Sequence, residues 1–264
     1  MDIKIYQVDA FTNHMFGGNP AAVCPLDSWL DDETLLNIAI ENNLSETAFI
    51  VPMSGEEFDY QLRWFTPAVE VDLCGHATVA TAAVLFEKLG FEGDVIRFKS
   101  LSGLLTVTKV DGKYELDFPV LTPEKEQPFE GLADVMGAAP LEFYRGSRDH
   151  LLVYPDADTV LNLKPDFTRL KGYGLWGYIA TAPGNEGEDF ISRCFFPAYN
   201  IDEDPVTGSA HCVSGPYWAK RLGKDALFAR QRSARGGDLW LKVMGERIKI
   251  AGEAVLVMEG TLYL

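Results

Sequence analysis

Asp72-Leu73-Cys74-Gly75-His76-Ala77-Thr78 is the stretch around which this chain is organised. A polar residue opens this stretch, and an Ala- and Val-rich segment follows it. This pattern predicts a loop that runs into a buried helix over 75–89. The N-terminus of such a helix presents unpaired backbone N–H groups and the positive end of a dipole. We therefore expect this helix start to face a ligand, with an anion as the favoured class.

A second copy of this stretch lies in the other half of the chain. Phe65-Thr66-Pro67-Ala68 returns 130 residues later as Phe195-Phe196-Pro197-Ala198, and Cys74-Gly75-His76-Ala77 returns 133 residues later as Thr207-Gly208-Ser209-Ala210. The second loop is three residues longer than the first. The repeat predicts a second helix over 208–221 and two similar halves, with a small-molecule site in a cleft between the two helix N-termini.

Composition limits the class of protein. The chain has 264 residues, 47% of them hydrophobic, and a formal net charge of −16. This length suits one large domain or two ordinary ones, and the internal repeat favours two. A surface this acidic repels nucleic acid and anionic membranes, so we expect neither as a partner. An anionic substrate needs local positive potential, which the two helix starts supply.

The cysteines and the apolar runs indicate in which cellular compartment the protein is expected. The four cysteines form no Cys-x-x-Cys pair, and no histidine pattern beside them indicates zinc, so we expect reduced thiols and no metal site. No apolar run approaches the roughly 18 residues of a membrane-spanning helix, and the first residues do not resemble a signal peptide. We therefore expect a soluble, cytoplasmic protein.

Segments of alternating hydrophobicity predict many strands, and each half has one long helix. This pattern indicates an α+β fold, and no Rossmann or P-loop glycine fingerprint is present in the sequence. We place the N-terminal half at 1–118 and the C-terminal half at 119–264, with the proline-rich segment 119–140 as the crossing. The last strand, predicted over 255–263, could return to either half.

Glu46 is the first candidate for chemistry. It lies between a predicted helix over 31–43 and a predicted strand over 48–51, where a carboxylate can be half buried and suited to general acid/base work. The repeat places Trp176 at the matching position, so the two halves look alike but only one carries an acid there. The alternative is a glutamate on the surface or at a helix cap.

The two helix starts supply the other candidates. Cys74 at a helix N-terminus should have a lowered pKa and could act as nucleophile or base, or it could be a small buried residue at a crowded turn. The macrodipole disfavours a charged His76, so a neutral imidazole is expected. Asp204, in the longer second loop, could position a substrate hydroxyl or amine. Ordinary capping, by Asp72 in the first half and by Asp204 or Thr207 in the second, is the alternative.

The loop Gly17-Gly18-Asn19-Pro20 adds a further candidate. Its glycines allow the backbone to approach a ligand closely, although a wide turn explains the same residues. We include Asn19 among the expected substrate-binding residues.

Four blocks of sequence, taken together and in order, resemble one known family. They are Val8-Asp9-Ala10-Phe11-Thr12 with Gly17-Gly18-Asn19-Pro20-Ala21-Ala22-Val23, then Ser45-Glu46-Thr47-Ala48-Phe49, then Leu73-Cys74-Gly75-His76-Ala77-Thr78, then Asp204-Pro205-Val206-Thr207-Gly208-Ser209-Ala210. The chain is similar over nearly its whole length to the phenazine-biosynthesis PhzF-like family, which has the diaminopimelate-epimerase fold. The resemblance implies two pseudo-symmetric domains, each a mixed barrel-like sheet wrapped around a central helix. It also implies a cofactor-free site in the cleft and, commonly, a homodimer.

The resemblance also assigns roles. The best-known member of the family isomerises a dihydro-hydroxyanthranilate by moving a proton with one carboxylate. By this resemblance Glu46 is the general acid/base, while His76 and Asp204 bind and polarise the substrate. The residues implied to line the anion site are Ser45, Gly75, Gly208 and Ser209.

Three hypotheses for function follow. The first is an isomerase in which Glu46 moves a proton on a small carboxylate substrate. The second is an amino-acid racemase or epimerase that uses Cys74 and a second base such as Asp204; Cys74 resembles the first thiol of diaminopimelate epimerases and proline racemases, but Thr207 stands where the second thiol belongs. The third is a catalytically silent small-molecule-binding protein.

Overall fold

The computed structural model describes residues 1–55, 57–174 and 176–264. The chain divides into two compact units: the first unit is 1–117 together with 251–264, and the second unit is 118–250. The second unit therefore ends before the predicted range of 119–264, because the end of the chain belongs to the first unit. The predicted crossing segment contains a short strand and a short helix of the second unit.

Strands outnumber helices in both units, as the alternating pattern predicts. The elements up to the unit boundary are β1 (Asp2–Ala10), β2 (Asn19–Pro25), α1 (Asp32–Asn42), β3 (Glu46–Pro52), β4 (Tyr60–Phe65), β5 (Glu70–Val71), α2 (Gly75–Glu87), β6 (Val95–Ser100), β7 (Gly103–Val110) and β8 (Lys113–Pro119). The elements that follow are β9 (Glu124–Glu126), α3 (Leu132–Met136), β10 (Glu142–Arg145), β11 (Asp149–Val153), α4 (Ala157–Leu161), α5 (Phe167–Lys171), β12 (Gly177–Pro183), β13 (Phe190–Phe196), a 3₁₀ turn (Pro197–Tyr199), β14 (Ile201–Asp204), α6 (Gly208–Leu222), β15 (Ala226–Gln231), β16 (Gly237–Met244), β17 (Arg247–Gly252) and β18 (Ala254–Tyr263).

The strand pairings of the first unit form a mixed sheet. β1 pairs antiparallel with both β2 and β18, β2 pairs parallel with β3, and β3 pairs antiparallel with β4. β4 then pairs parallel with β6, which pairs antiparallel with β7. The placement of the last strand, which the sequence leaves open, is thus beside β1.

The second unit repeats this series of pairings. β11 pairs parallel with β12, β12 antiparallel with β13, β13 parallel with β15, and β15 antiparallel with β16. The sequence repeat is therefore also a structural repeat, and each unit has the mixed-sheet, one-long-helix plan of the predicted α+β fold.

Each long helix is the centre of its own unit. In the first unit α2 contacts β1, β2, β3, β7 and β18. Val79, Val84 and Leu85 on this helix are at most 1% exposed. Burying a side chain of this size stabilises the fold by about 1.5–3 kcal/mol, so α2 is held by packing on most sides. In the second unit α6 contacts β11, β12, β15 and β16 in the same way.

Two further findings concern the cysteines and the helices. All four cysteines are buried and free. Within the described residues, no helix combines the length and the apolar character that crossing a bilayer requires.

Candidate active site

Glu46 is positioned by a helix end and a strand start. α1 ends where Asn43 adopts a left-handed conformation, with φ 49°, and its N–H bonds to the carbonyl of Ala39. β3 then begins at Glu46, whose backbone is in register with Ala21 of the parallel neighbour β2. The Glu46 side chain is 13% exposed, so the predicted half-buried junction carboxylate is in fact mostly buried.

His76 of the first turn of α2 lies against this carboxylate. Its Nε2 is 3.0 Å from Oε2 of Glu46, and its side chain is only 8% exposed. The angles of this contact are not those of a hydrogen bond, and neither atom has a hydrogen-bond partner among the described residues. Two buried polar atoms thus lie side by side with their hydrogen-bonding capacity unused, which is the condition of a group prepared for a ligand.

Cys74 contacts the other ring nitrogen of the same imidazole. It is the residue before α2, in an extended conformation, and its Sγ is 3.5 Å from Nδ1 of His76. The imidazole therefore contacts both a thiol and a carboxylate. No side chain caps this helix start, so the capping role considered for Asp72 is not what the structure shows. The donor atoms of Glu46, Cys74 and His76 all lie within 4.8 Å of one another.

The ionisation of this group differs from the expectation based on the helix dipole. Burial, followed by the Glu46 carboxylate, raises the pKa of the Cys74 thiol, so the predicted lowering is wrong. Burial by itself lowers the pKa of His76, but the Cys74 sulfur and the Glu46 carboxylate together raise it well above its usual value. The predicted neutral imidazole is therefore wrong as well, because the raised pKa favours its charged form.

Asn19 and Ser45 form a second contact in the same unit. Asn19 opens β2 and is fully buried, and Ser45 Oγ donates to its Oδ1 over 3.4 Å. The preceding Gly18 has φ +61°, and a Cβ there would lie 2.1 Å from the carbonyl oxygen of Ala10. The close backbone approach expected of this loop is thus made to the protein itself. Gly75 is the first residue of α2.

The second helix start is organised differently. Thr207 precedes α6, and its Oγ1 donates to Oδ2 of the buried Asp204, while the Thr207 side chain does not cap the helix. The buried amide of Gln231 fixes this loop, because its Oε1 accepts from Thr207 N over 2.9 Å and its Nε2 donates to the Asp204 carbonyl over 2.8 Å. Gly208 and Ser209 begin α6, and Ser209 is exposed.

Gln231 is the residue that sequence reasoning missed. It lies on β15, outside every repeated block, and no motif marks it. Its hydrogen bonds hold the backbone on both sides of the loop that carries Asp204, so it positions a candidate residue without being part of the pattern.

Trp176 confirms the asymmetry expected at the Glu46 position. Its ring stacks on His150 with centroids 4.6 Å apart, and the guanidinium of Arg145 lies 5.5 Å from its centroid. The second unit therefore has an aromatic cluster around the residue that matches Glu46 in the repeat. Burial, and to a lesser degree Arg145, lowers the pKa of His150 to about 4, so this imidazole is neutral.

The structure thus brings Glu46, Cys74 and His76 together in the first unit, and Asp204 with Thr207 in the second. The expectation that both groups act on one substrate stays a prediction.

The fold and these sites define a class: a protein of the diaminopimelate-epimerase-like fold with a buried carboxylate–histidine pair. A solved structure of a predicted epimerase from Pseudomonas aeruginosa has this fold, with a TM-score of 0.75, 19% identity and 99% of each chain covered. At that identity the likeness concerns the fold alone.

The chain belongs to the phenazine biosynthesis-like protein family, PhzC-PhzF, whose model matches residues 8–260. It is 52% identical over 264 residues to an uncharacterized isomerase of Pseudomonas aeruginosa, with 100% of both chains covered. It is also similar to the crystal structure of a PhzF-family phenazine biosynthesis protein of Enterococcus faecalis, with a TM-score of 0.96, 48% identity and 100% of both chains covered. These relatives support isomerase as the general class of activity.

Proposed function

We propose that this protein is a cofactor-independent isomerase that moves a proton on a small carboxylate substrate, with Glu46 as general acid/base. The observation that carries the proposal is the buried pair of Glu46 Oε2 and His76 Nε2, 3.0 Å apart and without other hydrogen-bond partners among the described residues. A buried carboxylate that contacts His76 but makes no hydrogen bond through Oε2 is available to a substrate proton.

The proton balance needs only one base. Glu46 takes a proton from a substrate carbon that is acidified by a carboxylate or a conjugated system, and the C–H electron pair delocalises into that system. The acidic proton on Glu46 exchanges with solvent, and Glu46 then delivers a proton to a different substrate atom on the same face. A positioned acid/base of this kind contributes about 10²–10⁴-fold to the rate.

The charge that develops on the substrate needs a fixed positive partner. The His76 imidazolium, held in its charged form by its neighbours, is one such partner. The backbone N–H groups at the start of α2, including that of Gly75, are another, because the Cys74 side chain does not cap them. Such preorganised groups lower the barrier without reorganising during the reaction.

The remaining assignments follow from the family resemblance and are part of this proposal. Asp204 polarises the substrate together with His76, and further contacts come from Asn19, Ser45, Gly208 and Ser209. A homodimer, a cytoplasmic location and a role in biosynthesis are proposed on the same ground.

The test is NMR in D₂O with cyclic and amino carboxylates, including a dihydro-hydroxyanthranilate. We expect solvent deuterium to enter a substrate carbon with the native chain and with Glu41→Gln, which changes an exposed glutamate of α1. Glu46→Gln, which keeps the shape of the side chain but removes the base, should lower exchange by at least about 10²-fold. Undiminished exchange in a folded Glu46→Gln protein would remove Glu46 from this role.

A racemase or epimerase that uses Cys74 is the second candidate, because Cys74 Sγ contacts Nδ1 of His76. The raised pKa of the thiol counts against it, since a thiol is a weak base. The same experiment separates the two: exchange that survives in Glu46→Gln and vanishes in Cys74→Ser indicates the thiol mechanism. Binding of a compound without exchange in any variant indicates the silent binding protein.

A further inference from the structure

The three side chains around the His76 imidazole are also a set of metal ligands. Glu46 offers a carboxylate oxygen, His76 a ring nitrogen and Cys74 a sulfur, all within 4.8 Å of one another. Two of these atoms, Glu46 Oε2 and His76 Nε2, are buried and have no hydrogen-bond partner in the described chain, and the His76 side chain is more than nine-tenths buried. The site therefore has unused coordinating capacity.

The distances come close to those of a coordinated ion. Zinc bonds to nitrogen, oxygen and sulfur are about 2.0–2.3 Å long, which places the ligand atoms of a tetrahedral site roughly 3–4 Å apart. The contacts of 3.0 Å between Nε2 and Oε2 and of 3.5 Å between Nδ1 and Sγ are already in this range. The two contacts involve different ring nitrogens, and the ion binds only one of them. Either Glu46 or Cys74 therefore has to move toward the nitrogen that binds the ion.

The donor types select among metals. A thiolate and an imidazole are ligands for zinc and for similar late transition metals. Magnesium and calcium require several oxygen ligands, and only one of these three residues, Glu46, supplies oxygen. Three protein ligands also leave a fourth position open for water or a ligand. The sequence gives no zinc motif because Glu46 lies on β3, far along the chain from the Cys74-Gly75-His76 run.

We propose that Glu46, Cys74 and His76 form a binding site for a divalent transition-metal ion of the zinc class, and, resting on the function proposed above, that the bound ion blocks proton transfer by Glu46. As the metal–sulfur bond forms, the thiol S–H bond breaks and its proton passes to solvent, as does any proton on the coordinating ring nitrogen. No electron is transferred. The ion occupies the oxygen that otherwise meets the substrate, so binding and catalysis compete for one carboxylate.

The test uses Co²⁺ as a coloured substitute for Zn²⁺ and does not depend on a known substrate. Titration of the full chain with Co²⁺ should produce a thiolate-to-cobalt charge-transfer absorption at one ion per chain. Zn²⁺ should abolish it by displacement, because zinc binds such sites more tightly, whereas Mg²⁺ should not. Cys74→Ser should lack the absorption, and Glu46→Gln should weaken Co²⁺ binding by at least about tenfold, the lower range for disturbing a metal site.

Cys212→Ser is the matched control, since it also removes a buried, free thiol but lies on α6. It should keep the absorption. Circular dichroism of each variant shows whether it is folded. Absence of the band in the native chain, or its persistence in folded Cys74→Ser, would overturn the site.

The blocking effect is read separately by deuterium exchange. Exchange in the presence of a chelator should be lost on saturation with Zn²⁺ and recovered when chelator is added again. Exchange that continues undiminished at saturating Zn²⁺ overturns the blocking effect. If cobalt binds but no compound exchanges even with chelator, the metal site stands and the proposed isomerase fails. If exchange occurs but cobalt does not bind, the proposed isomerase stands and the metal site fails.

Discussion

At the scale of single residues, His76 and His211 show that neighbours decide the ionisation of a buried imidazole. Both are in the first turns of their long helices and both are buried. Burial lowers the pKa of His211 to about 4, although the contact of its Nδ1 with the backbone carbonyl of Thr207 opposes this shift. His76 has a carboxylate at 3.0 Å, and its pKa is raised. The imidazole is therefore charged in the first helix and neutral in the second, and the two are not matching positions, because the repeat pairs His76 with Ser209.

This difference predicts how stability depends on pH. A histidine whose folded pKa exceeds its unfolded value stabilises the fold fully below about pH 6.5, and this contribution is lost as the pH rises through the folded pKa. The free energy of unfolding should therefore fall as the pH rises above about 6.5. Glu46→Gln removes one cause of the shift and should flatten this fall. Urea unfolding at several pH values measures it, and an unchanged slope in the variant would contradict the assignment.

The same residues mark the limit of what the sequence could predict at this site. Glu46 and His76 were identifiable from their motifs, but their contact depends on how β3 packs against α2. The helix-dipole argument for a lowered Cys74 pKa and a neutral His76 was wrong because it was local. Burial is the main cause of the raised Cys74 pKa, followed by the Glu46 carboxylate, which comes from another element. The Cys74 sulfur, followed by the same carboxylate, raises the pKa of His76.

At the scale of elements, the sequence predicted the long helices and most strands well because their hydrophobic periods were unambiguous. The helix predicted over 75–89 ends at Glu87, just before Gly90 turns the chain with φ +68°. The network of Gln231 could not be predicted, because a single amide on β15 has no periodic signal. Gln231 can hold the loop only in the folded chain, where β15 lies beside the start of α6.

The loop between β1 and β2 allows a matched test of backbone crowding. Gly18 and Gly90 have nearly the same left-handed conformation, with φ +61° and +68°. A Cβ on Gly90 meets nothing within 4 Å, whereas a Cβ on Gly18 lies 2.1 Å from the Ala10 carbonyl oxygen. Gly90→Ala should cost about 1 kcal/mol of left-handed strain. Gly18→Ala should cost about 1–3 kcal/mol more, since the backbone itself must shift.

Urea unfolding of the two alanine variants gives the comparison directly. Equal losses would show that the loop can open at no cost, and that its glycine serves conformation alone. A larger loss at Gly18 would show that the approach of the loop to β1 fixes the entry to Asn19, the first residue of β2.

At the scale of the whole molecule, the first unit is discontinuous in sequence. β18 pairs with β1 from Asp2↔Tyr263 to Ala10↔Ala254, so the chain ends are neighbours. The N–H of Leu264 donates to the carbonyl of Met1 over 2.9 Å. The sequence left the last strand unplaced because an alternating strand fits the edge of either sheet equally well. Its partner is set by tertiary pairing, which no local pattern encodes.

Because the chain ends are paired, we predict that β18 stabilises the first unit through its pairing with β1, and not through its position in the order of the chain. Deleting 251–264 should prevent the first unit from folding, because it leaves β1 without one neighbour and exposes Ile3 and Ile5, which are at most 6% exposed in the complete unit. A circular permutant that joins Leu264 to Met1 through a short Gly/Ser linker, with new ends in the exposed turn at Asp111-Gly112, keeps every strand and should fold. Circular dichroism and cooperative urea unfolding distinguish the two. A truncated chain that unfolds like the native one would show that β18 is dispensable, whereas an unfolded permutant would show that the order of the strands, and not their pairing alone, determines the unit.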